Sequence, residues 1–179
     1  MAIVKLTALH LAAYLLPALL WPPEYAVWAL FVAVLLCWAS IEDWRTMEIP
    51  DTASALLLAG GLVWWGWFGG TPDMRRDAVL GAVLWPVLAW AVAAGYLRLR
   101  GWDGLGFGDV KLLAGIGLWT GFAGTVWVVL TASLSGIAVL LALAAMHRQP
   151  LSEIGTKAVA FGPFLCLSAW AVLLQGGRL

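Results

Sequence analysis

Apolar stretches of membrane-crossing length follow one another along almost the whole chain, separated only by short polar connections. A spanning helix needs about 20 mostly apolar residues. Seven segments reach or approach this: residues 2–21, 25–43, 52–68, 78–97, 109–119, 122–146 and 159–174, the fifth short enough for a partial span. Inside a bilayer the backbone must satisfy its own polar groups, and such a segment does so as a helix. The expected fold is an all-α, polytopic membrane bundle of about six or seven transmembrane helices, one domain over residues 1–179. Composition closes other routes, since 63 % of the 179 residues are hydrophobic and 11 % charged. A soluble domain carries about half and about a quarter. Ten acidic and ten basic side chains leave no net charge, so a disordered chain and a basic nucleic-acid binder are excluded, and no nucleic-acid partner is expected.

Lys5 before an apolar stretch has the outline of a secretory signal, but Pro17 interrupts it and Trp21-Pro22-Pro23 offers no small-residue cleavage site. A retained helix is expected. Basic residues orient the bundle. Lys5, Arg45, Arg98, Arg100, Lys111, Arg148 and Lys157 fall on one side of a seven-span arrangement, and Arg75, Arg76 and Arg178 on the other, which assigns the first side to the cytoplasm. Residues 69–77 and the glycine-rich run near residue 104 read as loops. Trp21, Trp44, Trp102 and Trp119 fall near expected helix ends, where an indole suits the headgroup region, whereas Trp38, Trp90 and Trp127 are expected to pack in mid-span. Cys37 and Cys166 each stand alone in an apolar run, without disulfide or metal-ligand spacing, and read as small core residues.

With so few ionisable side chains, their positions carry the information. Asp43 closes the second segment beside Glu42 and leads into Trp44-Arg45-Thr46-Met47-Glu48-Ile49-Pro50-Asp51. Read plainly, this is a helix end reaching water, with Pro50 in the first turn of the next helix, where its missing N–H costs nothing. A second concentration is Gly104-Leu105-Gly106-Phe107-Gly108-Asp109-Val110-Lys111. Alternating glycines permit positive φ or the close approach of another chain. Asp109 at a helix start suits the positive end of the helix dipole, although a flexible loop with an N-cap aspartate would be spelled the same way. The spacing is not that of a dinucleotide fingerprint, and no strand precedes it. The topology brings Asp43 and Asp109 to one membrane level, where ionisable residues are costly and candidates for function. Two carboxylates near enough to share a proton titrate in two steps. The ionised one takes a proton from an attacking water, and the protonated one donates to the scissile carbonyl.

Three stretches together resemble the type IV prepilin leader peptidases, membrane aspartyl proteases of the GxGD class. Residues 43–51 are similar to the family's first motif, an aspartate followed after a short polar segment by a hydrophobic residue, proline and an acidic residue or amide. Residues 104–114, continuing through Gly117, Trp119 and Gly121, resemble the second, and Phe161-Gly162-Pro163-Phe164 looks like a late FGP segment. The likeness covers about residues 37–174. It implies that Asp43 and Asp109 are the catalytic pair of an endopeptidase. That enzyme would remove the short basic leader of prepilins or pseudopilins at the cytoplasmic face of the bacterial inner membrane, surrounded by lipid and without a cofactor. Many members carry a cytoplasmic domain with paired CxxC motifs before the first aspartate and also N-methylate the new pilin terminus. Here only residues 22–25 or so separate the first two segments and no CxxC occurs, so neither zinc nor methyl transfer is expected. The compact form is more like the stand-alone peptidases of tight-adherence pilus systems. The substrate's identity and the oligomeric state are left open.

Around the pair, Gly106 and Gly108 are expected to shape the site. Lys111 either holds substrate or a lipid phosphate or is an interfacial anchor. Gly162 and Pro163 either expose backbone to an extended substrate or simply start a helix. Glu42, Glu48 and Asp51 are placed to attract a positive leader, and His10 and His147 receive no role. Two other classes share these aspartates. A small transporter or channel would use them for cation or proton binding, with polar residues deep in several spans; here Thr131, Ser133 and Ser135 cluster in one. In a non-enzymatic assembly subunit both would be dispensable.

Overall fold

The computed structural model describes residues 11–18, 23–101, 104–147 and 160–176. The expectations for Lys5, His10, Trp21, Trp102, Arg148, Lys157 and Arg178 lie outside the described residues, as does the side chain of His147. Six helical stretches follow in order: α1 (residues 11–18), α2 (Pro23–Thr46), α3 (Asp51–Trp67), α4 (Pro72–Arg100), α5 (Phe107–His147) and α6 (Gly162–Gly176). No strand occurs among the described residues, so the all-α membrane bundle stands. Tyr25–Thr46, Pro72–Arg100 and Phe107–Met146 are long and apolar enough to cross a membrane.

Helix α5 owes its shape to Gly121, whose φ of 73° and ψ of 174° interrupt it. An L-side chain is strained at such a φ, so glycine stands at the turn. The two arms run antiparallel. The second arm begins with Gly124 beside Thr120 and Val172, late in α6, and reaches Gly136 beside Phe164, at the start of α6. The fifth and sixth expected segments are therefore the two arms of one bent helix. The first arm fills the bundle's core, with Leu112, Leu113, Ile116 and Trp119 all buried.

Helix α4 begins six residues before its expected start. Thr71 caps it by accepting from the Met74 N–H at 3.3 Å, Pro72 occupies the first turn, and Gly101 ends it with φ 77°. Most of the 69–77 connection is thus helix rather than loop. Its first turns carry Asp73, Arg75, Arg76 and Asp77, polar residues that no hydropathy window would include.

The tryptophans sort differently from their expected places. Trp38, Trp90 and Trp127 are 40, 58 and 61 % exposed and point away from the bundle instead of packing inside it. Lipid accepts an outward indole, so burial is not enforced as it is in water. Trp119, expected at a headgroup boundary, is buried and donates its indole N–H to Leu57 O at 2.8 Å. Trp65 donates to Leu118 O at 2.9 Å and Trp85 to Phe122 O at 3.1 Å. These bonds fasten α3 and α4 to the first arm and the break. Interhelical polar bonds in membranes contribute about 0.6 kcal/mol each on average.

Between α4 and the first arm the backbones touch. A Cβ at Gly81 would lie 2.4 Å from Gly117 O, and one at Gly117 would lie 2.2 Å from Gly81 O. Backbone atoms cannot swing aside as a side-chain end can, so Gly81→Val must separate the helices and forfeit more than the ~1–3 kcal/mol typical of overpacking. We expect a large drop in the thermal midpoint of the detergent-solubilised protein. Gly95→Ala is the control, because nothing lies within 4 Å of a Cβ there and alanine is the better helix former by about 1 kcal/mol. A Gly81→Val protein that melts with the wild type would refute this packing.

Candidate active site

The site forms where α2 ends, α5 begins and α6 begins. Helix α2 continues to Thr46, so Asp43 sits in its last turn and not at its tip. The Thr46 hydroxyl donates to Glu42 O at 2.9 Å, and the Met47 N–H donates to Asp43 O at 2.9 Å. Met47 then takes φ 59°, a left-handed conformation that costs a non-glycine residue about 1–2 kcal/mol and turns the chain sharply. The following residues, Glu48 to Pro50, carry the chain to α3, whose first residue is Asp51. Ile49, only 8 % exposed, goes beneath the glycine-rich segment.

That segment works by closeness, not by unusual backbone. Gly104, Gly106 and Gly108 all have ordinary φ, so of the two uses expected of them the structure shows close approach. Each admits a neighbour where a Cβ would stand. At Gly104 this is Tyr96 (2.5 Å), at Gly106 the Asp109 carboxylate (3.2 Å), and at Gly108 Ile49 (3.1 Å). Helix α5 starts at Phe107, which puts Asp109 in the first turn rather than at its opening, with its N–H donating to Gly106 O at 3.1 Å.

Asp43 and Asp109 are 6 and 7 % exposed, yet both line one cavity of about 280 Å³ and lie close enough to interact electrostatically. Met47, Glu48, Ile49, Asp51, Phe107 and Lys111 share its walls with Gly106 and Gly108. The Asp43 carboxylate is held from a third direction. Gly162 N–H donates to Asp43 Oδ2 at 2.9 Å, from the first residue of α6. A Cβ at Gly162 would lie 2.7 Å from that same oxygen. Oδ1 of Asp109 is buried and has no hydrogen-bond partner.

Seven of the residues singled out by sequence thus line one cavity: Asp43, Glu48, Asp51, Gly106, Gly108, Asp109 and Lys111. Gly162 reaches it through Asp43, and its N–H is already engaged there. Pro163 is buried next to it in the first turn of α6. Glu42 lies off the cavity, 4.0 Å from Arg45 Nη1. Met47, Ile49 and Phe107 were not singled out by sequence. Cys166 was also missed as a neighbour of the site: it is fully buried, one helical turn past Gly162, within electrostatic reach of both carboxylates. No sequence signal marks it, because its position depends on how α6 packs. A larger groove of about 870 Å³ lies between the second arm of α5 and α6, and no titratable side chain lines it. The smaller cavity is the one equipped for chemistry. Among the described residues no group of three His, Cys, Asp or Glu is placed to hold a metal ion.

Comparison with known proteins points the same way. Residues 29–141 match the model of the type IV leader peptidase family. Relatives named prepilin leader peptidase/N-methyltransferase include one from Aeromonas hydrophila, 34 % identical over 155 residues that cover 83 % of this chain and 51 % of the relative. One from Burkholderia pseudomallei is 35 % identical over 174 residues, 97 % of this chain and 54 % of the relative. One from Escherichia coli K12 is 37 % identical over 130 residues, 73 % of this chain and 55 % of the relative. The chain therefore spans about half the length of the curated relatives it matches. No solved structure matches it.

Proposed function

The chain belongs to the type IV leader peptidase family, and from that premise we propose that it is a prepilin peptidase built on the Asp43–Asp109 pair. In this reading residues 1–179 form one transmembrane peptidase domain. It cuts the short basic leader from a prepilin or pseudopilin at the cytoplasmic face of the bacterial inner membrane. One carboxylate takes a proton from water as the oxygen attacks the scissile carbonyl, and the other, protonated, donates to the carbonyl oxygen. The supporting observation is the shared cavity: two nearly buried carboxylates from separate helices face one space of about 280 Å³. Gly106, Gly108, Gly162 and Pro163 act as shaping residues, and the acidic side chains of Glu48 and Asp51 favour a positively charged leader.

A carrier role is less well supported. Thr131 donates to Trp127 O at 2.6 Å and Ser135 to Ala132 O at 3.0 Å, so these hydroxyls serve their own helix and offer no polar path. The test is coexpression with a prepilin carrying a basic leader, followed by gel shift and mass spectrometry. The expected product lacks the leader and shows no added methyl group at its new N-terminus. An unprocessed prepilin beside well-expressed protein would sink the peptidase reading.

A further inference from the structure

The cavity at Asp43 and Asp109 is lopsided in charge. Four acidic residues line it, Asp43, Glu48, Asp51 and Asp109, against one cation, Lys111. Like charges in a partly desolvated cleft repel, and a cationic guest relieves that repulsion. Oδ1 of Asp109, buried from solvent, has no hydrogen-bond donor either. The protein supplies a cation of its own. Lys111 Nζ reaches from the first arm of α5 to Asp51 Oδ1, 2.6 Å away at the start of α3.

Exposure decides what this contact can be. The Asp51 side chain is 74 % exposed and that of Lys111 38 %. An ion pair that open to water adds little stability, so it is a poor clasp for two helices and an easy one to exchange. The Lys111 ammonium also stands 4.9 Å from the centre of the Phe107 ring, which offers it a resting place on its own helix once Asp51 is taken.

Resting on the peptidase reading, we propose that Asp51 is the subsite for a cationic side chain of the substrate's leader, and that Lys111 fills it in the empty protein and yields it when substrate binds. Lys111 is then a built-in competitor that admits only a segment whose own lysine or arginine can replace it.

Binding tests this apart from cleavage. Full-length protein carrying Asp43→Asn is held in lipid nanodiscs. It is titrated with a fluorescent peptide bearing lysines ahead of an apolar segment, and with a second peptide in which glutamine replaces them. Adding Lys111→Met should tighten the lysine peptide roughly fivefold, the upper range for an exposed ion pair. Asp51→Asn should weaken it by a similar factor, and Lys111→Met on top of Asp51→Asn should change nothing further. The glutamine peptide should respond to none of them. A misfolded variant cannot produce the tightening. The proposal is overturned if Lys111→Met weakens or does not alter lysine-peptide binding, if it still tightens binding without Asp51, or if both peptides shift alike. Failure of the wild type to cut a leader-bearing prepilin would instead remove the peptidase reading, with the binding series still deciding the Asp51 subsite.

Discussion

Asp43→Asn and Asp109→Asn should each reduce leader removal by at least about a thousandfold, within the range that general acid–base catalysis contributes. Asparagine keeps the shape of the side chain and, at position 43, can still accept the Gly162 N–H through its amide oxygen. What it loses is the ability to take and give a proton. Because the two groups act as one unit, the double variant should be no worse than either single one. Initial rates on a leader-bearing prepilin, with elution profile and thermal midpoint as controls for folding, make the measurement. Processing by either variant at more than about a tenth of the wild-type rate would refute the pair, since loss of a working acid or base costs at least about a hundredfold.

Gly162→Ala should be nearly as damaging although it removes no functional group. The added methyl would lie 2.7 Å from Asp43 Oδ2 and 3.0 Å from its Cγ. The two closest atoms are the end of a short side chain, so the carboxylate rotates aside, and Asp43 Cβ, 3.1 Å away, asks only a few tenths of an ångström of the helices. That rotation breaks the 2.9 Å bond from the Gly162 N–H and takes Asp43 out of register with Asp109. A misplacement of about 1 Å in a reacting group can cost about a hundredfold. We expect a loss of that order in kcat with a near-normal thermal midpoint. Unchanged kcat would mean that the Asp43–Gly162 contact has no part in catalysis, and a collapsed midpoint would mean that it is structural.

Local signals made much of this legible. The apolar segments map onto the helices where residues are described, and Asp43 and Asp109 stood out as candidates because carboxylates bordering apolar segments are rare; the structure brings both to one cavity. The fifth and sixth segments were separable because the apolar run is punctuated by glycine at residue 121. What stayed hidden depends on contacts between distant elements. Gly162 meets Asp43 across 119 residues of chain, and no periodicity encodes that. The three glycines before Asp109 left positive φ and close approach both open, and it is the neighbours Tyr96, Asp109 and Ile49, invisible in the local sequence, that decide for closeness. Burial of tryptophans was misjudged in both directions. In lipid an indole's apolar surface does not by itself decide whether it faces inward, and contacts such as the Trp119 bond to Leu57 O are not written in the local sequence. The start of α4 was spelled out by Thr71-Pro72-Asp73 and overlooked because its first turns are polar.

The bond between Asp43 and Gly162 also sets an order of events during synthesis. A ribosome delivers the chain from its N-terminus at about 5–20 residues per second, so early helices enter the membrane while later ones are still unmade. Both aspartates emerge well before the residue that holds the first of them. Until α6 is inserted, the Asp43 carboxylate lacks the N–H of Gly162 that holds it. On the peptidase reading, the ability to cut therefore waits for the last described helix.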